Sequence, residues 1–175
     1  MNVFILNTGR CGSTTFIKAC SHINNYSCGH ETLASQIGAA RLDYPLNHIE
    51  ADNRLSWYLG RLDAKYTDNA LYVHLHRDRS KVIKSFSNRR EFGILHAYEN
   101  GILIDAAIDN VNELAEDYID TVNENINFFL KLKSHKMDFN LESAKQDFKT
   151  FWELIGATGN LEAALNEWDI NYNAS

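Results

Sequence analysis

The sequence predicts an α/β fold, a three-layer sandwich around a mostly parallel central sheet. Three observations carry that expectation. Residues 2–7 (Asn-Val-Phe-Ile-Leu-Asn) form a short, almost unbroken apolar run, the pattern of a strand buried on both faces, and lead through a glycine loop into a helix-spaced segment. Residues 71–76 (Leu-Tyr-Val-His-Leu-His) show strand alternation and run straight into a second helical stretch. Residues 137–141 repeat the order near the C-terminus. Sheets built this way bind ligands at the C-terminal ends of their strands.

Each element follows from local pattern. After the first strand, Gly9 and Gly12 mark a loop, and residues 13–21 set Phe16, Ile17 and Cys20 at helical spacing. Asn24 and Asn25 break that helix before a weak strand at 26–28, which Gly29 ends just ahead of His30 and Glu31. After the 71–76 strand, Ser80 reads as the N-cap of a helix reaching about Arg89. From Ile104, apolar residues recur at Ile108, Val111, Ala115, Tyr118, Val122, Ile126 and Phe129, which predicts one long amphipathic helix. Its stretch 105–124 carries seven acids and no Lys or Arg, the composition of a solvated face. Residues 144–155 predict a helix burying Phe148, Phe151 and Ile155, stopped by Gly156, and 161–168 a last one.

Composition narrows the function. A chain of 175 residues, 45% hydrophobic and 23% charged, predicts one domain spanning 1–175. Seventeen Lys and Arg against 23 Asp and Glu give a net charge of -6, which argues against nucleic acid or a membrane surface as partner. Any anion site must be built locally. The apolar run at residues 3–6 is too short for a signal-peptide core or a membrane span, so the expectation is a soluble, cytoplasmic protein. Cys11, Cys20 and Cys28 fit neither a disulfide set nor a metal-ligand spacing, and His74 and His76 read as ordinary strand residues; no metal is expected.

The first loop, Asn7-Thr8-Gly9-Arg10-Cys11-Gly12-Ser13-Thr14-Thr15, joins a buried strand to a helix. Successive N–H groups and the positive helix end can converge there on an anion, with Arg10 adding a forked donor and Ser13, Thr14 and Thr15 adding hydroxyls. A plain glycine turn with a Ser/Thr cap is the alternative. A nucleotide-triphosphate loop of the form G-x-x-x-x-G-K-[ST] is absent, because Ser13 follows Gly12 and no Lys comes after. A cysteine-phosphatase loop is also absent, since Ile17 and Tyr26 stand where its Arg would follow Cys11 or Cys20. The window 77–90 is a basic island with six bases (Arg77, Arg79, Lys81, Lys84, Arg89, Arg90) and one acid, Asp78. Arg77 at the strand's end and Ser85 in the next helix can bring a guanidinium and a hydroxyl onto one phosphate.

These two windows resemble the sulfotransferases that use 3'-phosphoadenosine 5'-phosphosulfate (PAPS), a family with a P-loop nucleotide-kinase-like fold. Arg10-Cys11-Gly12-Ser13-Thr14 is similar to the family's 5'-phosphosulfate loop, with Cys11 in place of a small hydroxyl residue, and Tyr72 through Ser85 is similar to its 3'-phosphate motif, with Arg79 where Pro is common. The likeness covers residues 4–15 and 72–90, and more loosely 137–156. An Arg-Lys-Gly segment that closes over the nucleotide in some members is missing.

The resemblance implies PAPS as the sulfuryl donor, held by Gly9, Arg10, Cys11, Gly12, Ser13, Thr14, Thr15, Arg77 and Ser85. Arg10 would also neutralise charge on the departing 5'-phosphate. Transfer to a small-molecule or carbohydrate hydroxyl, or an amine, needs a general base. Glu31 resembles the early Glu of several bacterial members, and His30 beside it stands for the His used by others; a helix-capping role is the alternative for Glu31. A second polar cluster, His48, Glu50 and Asp52, is a candidate lining of the acceptor pocket. His30-Glu31 does not extend to a zinc motif, because Ala34 takes the final His position. A non-catalytic module binding adenosine bisphosphate and an atypical ATP-dependent small-molecule kinase remain open.

Overall fold

The computed structural model describes residues 1–104, 108–170 and 172. Five strands pair in parallel: β1 (Asn2–Leu6), β2 (Ser27–His30), β3 (His48–Ala51), β4 (Ala70–His76) and β5 (Lys136–Asn140). Their spatial order is β2-β3-β1-β4-β5, so β1, with all five residues buried, is the centre of the sheet. Seven α-helices among the described residues flank them: α1 (Ser13–Cys20), α2 (Leu59–Tyr66), α3 (Arg79–Ser87), α4 (Gly93–Gly101), α5 (Val111–Leu130), α6 (Ala144–Leu154) and α7 (Leu161–Asn166). The α/β sandwich with a parallel sheet is therefore as the sequence predicts.

Aromatic packing identifies the layers. On one face Phe16 of α1 meets Phe139 of β5, Phe148 and Phe151 of α6, and Trp168 just past α7. On the other, Phe4 of β1 contacts Tyr44, Tyr66 and Tyr72, and Tyr72 meets Phe129 of α5. Tyr118 of α5 in turn packs against Phe86 of α3 and Tyr98 of α4. The chain leaves β1 toward β2 and leaves β4 toward β5, in opposite directions from adjacent strands. That reversal opens a crevice between the C-terminal ends of β1 and β4, where ligands of such sheets bind.

Several boundaries differ from expectation, each for a local reason. Helix α3 starts at Arg79 because Asp78, not Ser80, is its N-cap, accepting from the Lys81 N–H at 3.1 Å. Strand β2 runs on through Gly29 to His30, paired throughout with β3. Helix α5 starts at Val111, since the Asn110 side chain caps it by accepting from the Asn112 N–H. The apolar spacing through Ile104 and Ile108 is therefore not helical, and the part of that reading on 105–107 lies outside the described residues. The last predicted helix is α7 followed by a 3-10 turn at Glu167–Asp169.

Strand β3 and helices α2 and α4 were not foreseen. The expected acceptor-lining cluster on 48–52 is the correction that matters most, because its polar side chains are buried in structural pairs. His48 Nε2 lies 2.9 Å from Glu50, Ser27 Oγ 2.8 Å from His48 Nδ1, and the Thr32 N–H and hydroxyl both donate to Glu50. Asp52 is paired with the buried Arg41 at 2.5 Å.

One buried group gives the fold a pH dependence. His74 of β4 is fully buried under α5, with Nε2 3.1 Å from Asn123 Oδ1. Burial, then the neighbouring His76, push its imidazole down to about 4. Between that value and the ~6.5 of an unfolded chain, the unfolded state binds the extra proton, so stability rises with pH across this window. We expect the unfolding free energy to fall as pH drops from about 6.5 to about 4, by up to about 3 kcal/mol from this residue. His74→Gln should flatten that slope in urea titrations; an unchanged slope would assign it to other groups.

Candidate functional site

The loop between β1 and α1 is folded by its own polar side chains. Asn7, buried, accepts from the Gly9 N–H at 2.7 Å, and the Tyr118 hydroxyl of α5 donates to the Thr8 carbonyl at 2.7 Å. Gly9, Arg10 and Gly12 all have positive φ, at 88°, 60° and 90°. At Gly12 an added Cβ would also come within 2.8 Å of a Leu141 methyl, which would have to shift. Arg10 takes the left-handed conformation as a non-glycine residue, which costs roughly 1–2 kcal/mol and is held by tertiary contacts. Arg77 Nη1 donates to the Arg10 carbonyl at 2.9 Å, and Arg10 Nε donates to Ser85 Oγ at 2.8 Å.

Those two bonds join the loop to the second predicted window. Arg10 and Ser85, expected at opposite phosphates, touch each other. Burial, then the charges of Arg89 and Arg77 beside it, lower the Arg10 guanidinium below its usual value. Arg89, a base of the island that the sequence reading gave no role, has a buried Nε with no hydrogen-bond partner among the described residues. Three guanidiniums held this closely favour an anion between them. The first turn of α1 adds the positive end of a helix with no acid in it and a glycine N-cap that contributes no side chain.

A cleft of about 510 Å³ opens over this group, floored by Arg10, Gly12, Ser13, Thr14, Thr15, Arg77 and Ser85. Lys81, Lys84 and Asn88 extend its lining along and just past α3, and Leu141, Ala144, Trp168, Asp169, Ile170 and Tyr172 complete it with a mainly apolar stretch that carries one acid. Trp168 Nε1 is another buried donor without a partner among the described residues. The bases on α3 were legible at helical spacing. The Trp168 wall was not, because only the packing of α6 and α7 on α1 brings it to the loop.

Other predicted site residues sit differently. Cys11 turns inward, its buried thiol bonded to Thr8 Oγ1 and the Gly9 carbonyl at 3.2 Å, and burial raises its pKa. It and Gly9 can serve an anion only through backbone. His30, at the end of β2, reaches the loop, with Nε2 3.0 Å from Ser13 Oγ. Glu31 follows at φ 54°, its N–H bonded to the Ala51 carbonyl, and its carboxylate pairs with Arg54 at 2.9 Å. Neither His30 nor Glu31 lines the cleft itself; His30 touches it at Ser13, and Glu31 faces Arg54.

No protein-family model matches the chain, and no curated protein matches it in sequence. Among solved structures, it is similar to a "Sulfotransferase Domain from the Curacin Biosynthetic Pathway" with a TM-score of 0.67. The identity is 16%, and the match covers 97% of this chain and 78% of that one. At that identity the likeness speaks for the fold. No helix among the described residues is long and apolar enough to cross a membrane.

Proposed function

We propose that the protein is a sulfotransferase that moves a sulfuryl group from PAPS to a hydroxyl or amine by in-line displacement. The observation that carries this reading is the cationic group in which Arg77 and Arg89 stand beside Arg10, itself bonded to Ser85, at the β1/β4 crevice. A fold similar to that of a sulfotransferase domain supports it further.

A nucleotide with two phosphates would part Arg10 from Ser85, which touch at 2.8 Å in this structure. Arg10 and the N–H groups of residues 12–15 would hold the 5'-phosphate, Arg77 and Ser85 the 3'-phosphate, and the mainly apolar stretch with Trp168 the flat base. When bound, PAPS supplies the sulfuryl group and a phosphate leaving group. Arg10 and the α1 N-terminus stabilise negative charge that develops on the leaving oxygen, from positions fixed before reaction. Glu31 accepts the acceptor's proton, oriented by Arg54. The acceptor is a small molecule or carbohydrate approaching from the β2 side.

The Glu31–Arg54 pair favours one second reading, a non-catalytic module that binds adenosine bisphosphate without turnover. Calorimetry with adenosine 3',5'-bisphosphate, followed by an acceptor screen with labelled PAPS, separates the two. Because the loop lacks the Lys of a triphosphate loop, transfer should continue in excess EDTA. Turnover that needs magnesium and consumes ATP would replace both readings with a kinase.

A further inference from the structure

We propose that His74, His76 and Asp138 form a binding site for a divalent cation of the zinc class between β4 and β5. The three residues share one face of the sheet: His74 and His76 alternate along β4, and Asp138 is the register partner of His74 on β5. Their ligand-capable atoms all lie within 4.8 Å of one another. The imidazole rings of His74 and His76 are only 3.8 Å apart between centroids.

A second observation points to a missing ligand. His74 is wholly buried, and its Nδ1 makes no well-formed hydrogen bond among the described residues, although the Asn127 side chain stands close to the ring. Its other nitrogen faces Asn123 Oδ1 at 3.1 Å, so Nε2 carries the proton and Nδ1 is left with a lone pair. Metal-ligating histidines characteristically donate their second N–H to such an oxygen, which fixes tautomer and ring orientation. An imidazole acceptor enclosed without a well-formed hydrogen bond is otherwise a cost to the fold.

The remaining geometry suits a small tetrahedral ion. With ligands at about 2.1 Å, such an ion holds them about 3.4 Å apart. His76 Nε2 and Asp138 Oδ1 are already at 3.1 Å, and Asp138 is exposed enough to turn inward. Two imidazoles and one carboxylate favour zinc or its close neighbours over calcium or magnesium, and leave a fourth position for water. His76 and Asn123 also border a cavity of about 210 Å³. Arg79, which faces the same cavity, is neutralised by Asp120 and Glu116, while Arg77 is the one cation there turned to the Arg10 loop.

The test is calorimetric titration of the full chain with Zn²⁺ alone, without nucleotide. We expect one ion per chain, and His76→Gln and Asp138→Asn should each weaken it at least about tenfold. Both residues are partly or largely exposed, so these variants spare the core, and His22→Gln, at a separate His–Glu pair, should leave the affinity unchanged. Co²⁺ should give the visible absorption of a tetrahedral site in the parent and lose it in both variants. No binding, or binding that survives both substitutions, overturns the proposal.

Discussion

Arg77→Ala should weaken adenosine 3',5'-bisphosphate by about one to two decades while changing adenosine 5'-monophosphate little. A charged hydrogen bond to a phosphate contributes about 1.5–3 kcal/mol, and each 1.4 kcal/mol is roughly tenfold in affinity. Arg77 also donates to the Arg10 carbonyl, which gives the residue a second role in shaping the loop. Comparing the two ligands separates these roles. A loss confined to the bisphosphate assigns Arg77 to the 3'-phosphate, whereas equal losses mean that it acts through the Arg10 backbone. Ser85→Ala should give a smaller loss in the same direction, and it also releases Arg10 Nε from its 2.8 Å bond. Arg77→Lys keeps the charge but loses the fork, so it should recover only part of the affinity.

The two halves of the cationic group were legible in sequence because each is local, whereas the part of Arg89 and the Arg10–Ser85 contact were not. Strand β1 runs into a glycine loop and strand β4 into α3, and each unit declares itself by hydrophobic pattern followed by turn and cap residues. Their meeting at one crevice follows from the strand order, which pattern alone implies only through the general rule for parallel sheets. Strand β3 was illegible for a different reason. His48 and Glu50 alternate with Ile49 and Ala51, and the polar pair is stable in the interior only because Ser27 and Thr32, from the β2 segment, satisfy it. Read alone, such a segment looks like a surface cluster. The apolar spacing at Ile104 and Ile108 misled in the opposite sense: it matches the period of α5 but lies beyond the Asn110 cap.

The same β2–β3 pairing holds Glu31, the proposed general base, at the end of β2. Glu31→Gln should lower kcat by at least about a hundredfold and leave cofactor affinity nearly unchanged, because a general base contributes roughly 10²–10⁴ in rate and Gln keeps the shape without the basicity. Three contacts hold Glu31 in place: its N–H on the Ala51 carbonyl, its carboxylate on Arg54, and the next residue, Thr32, locked to buried Glu50. His30 is the competing group, since its ring already touches Ser13 in the first turn of α1. His30→Asn should therefore disturb the loop and raise the KM for PAPS more than it lowers kcat. The reverse pattern, with Glu31→Gln active and His30→Asn inactive at saturating PAPS, makes the histidine the base and reduces Glu31 to a partner of Arg54. Arg54→Ala distinguishes the two as well: it should slow a Glu31-dependent reaction by loosening the carboxylate, and leave a His30-dependent one almost untouched.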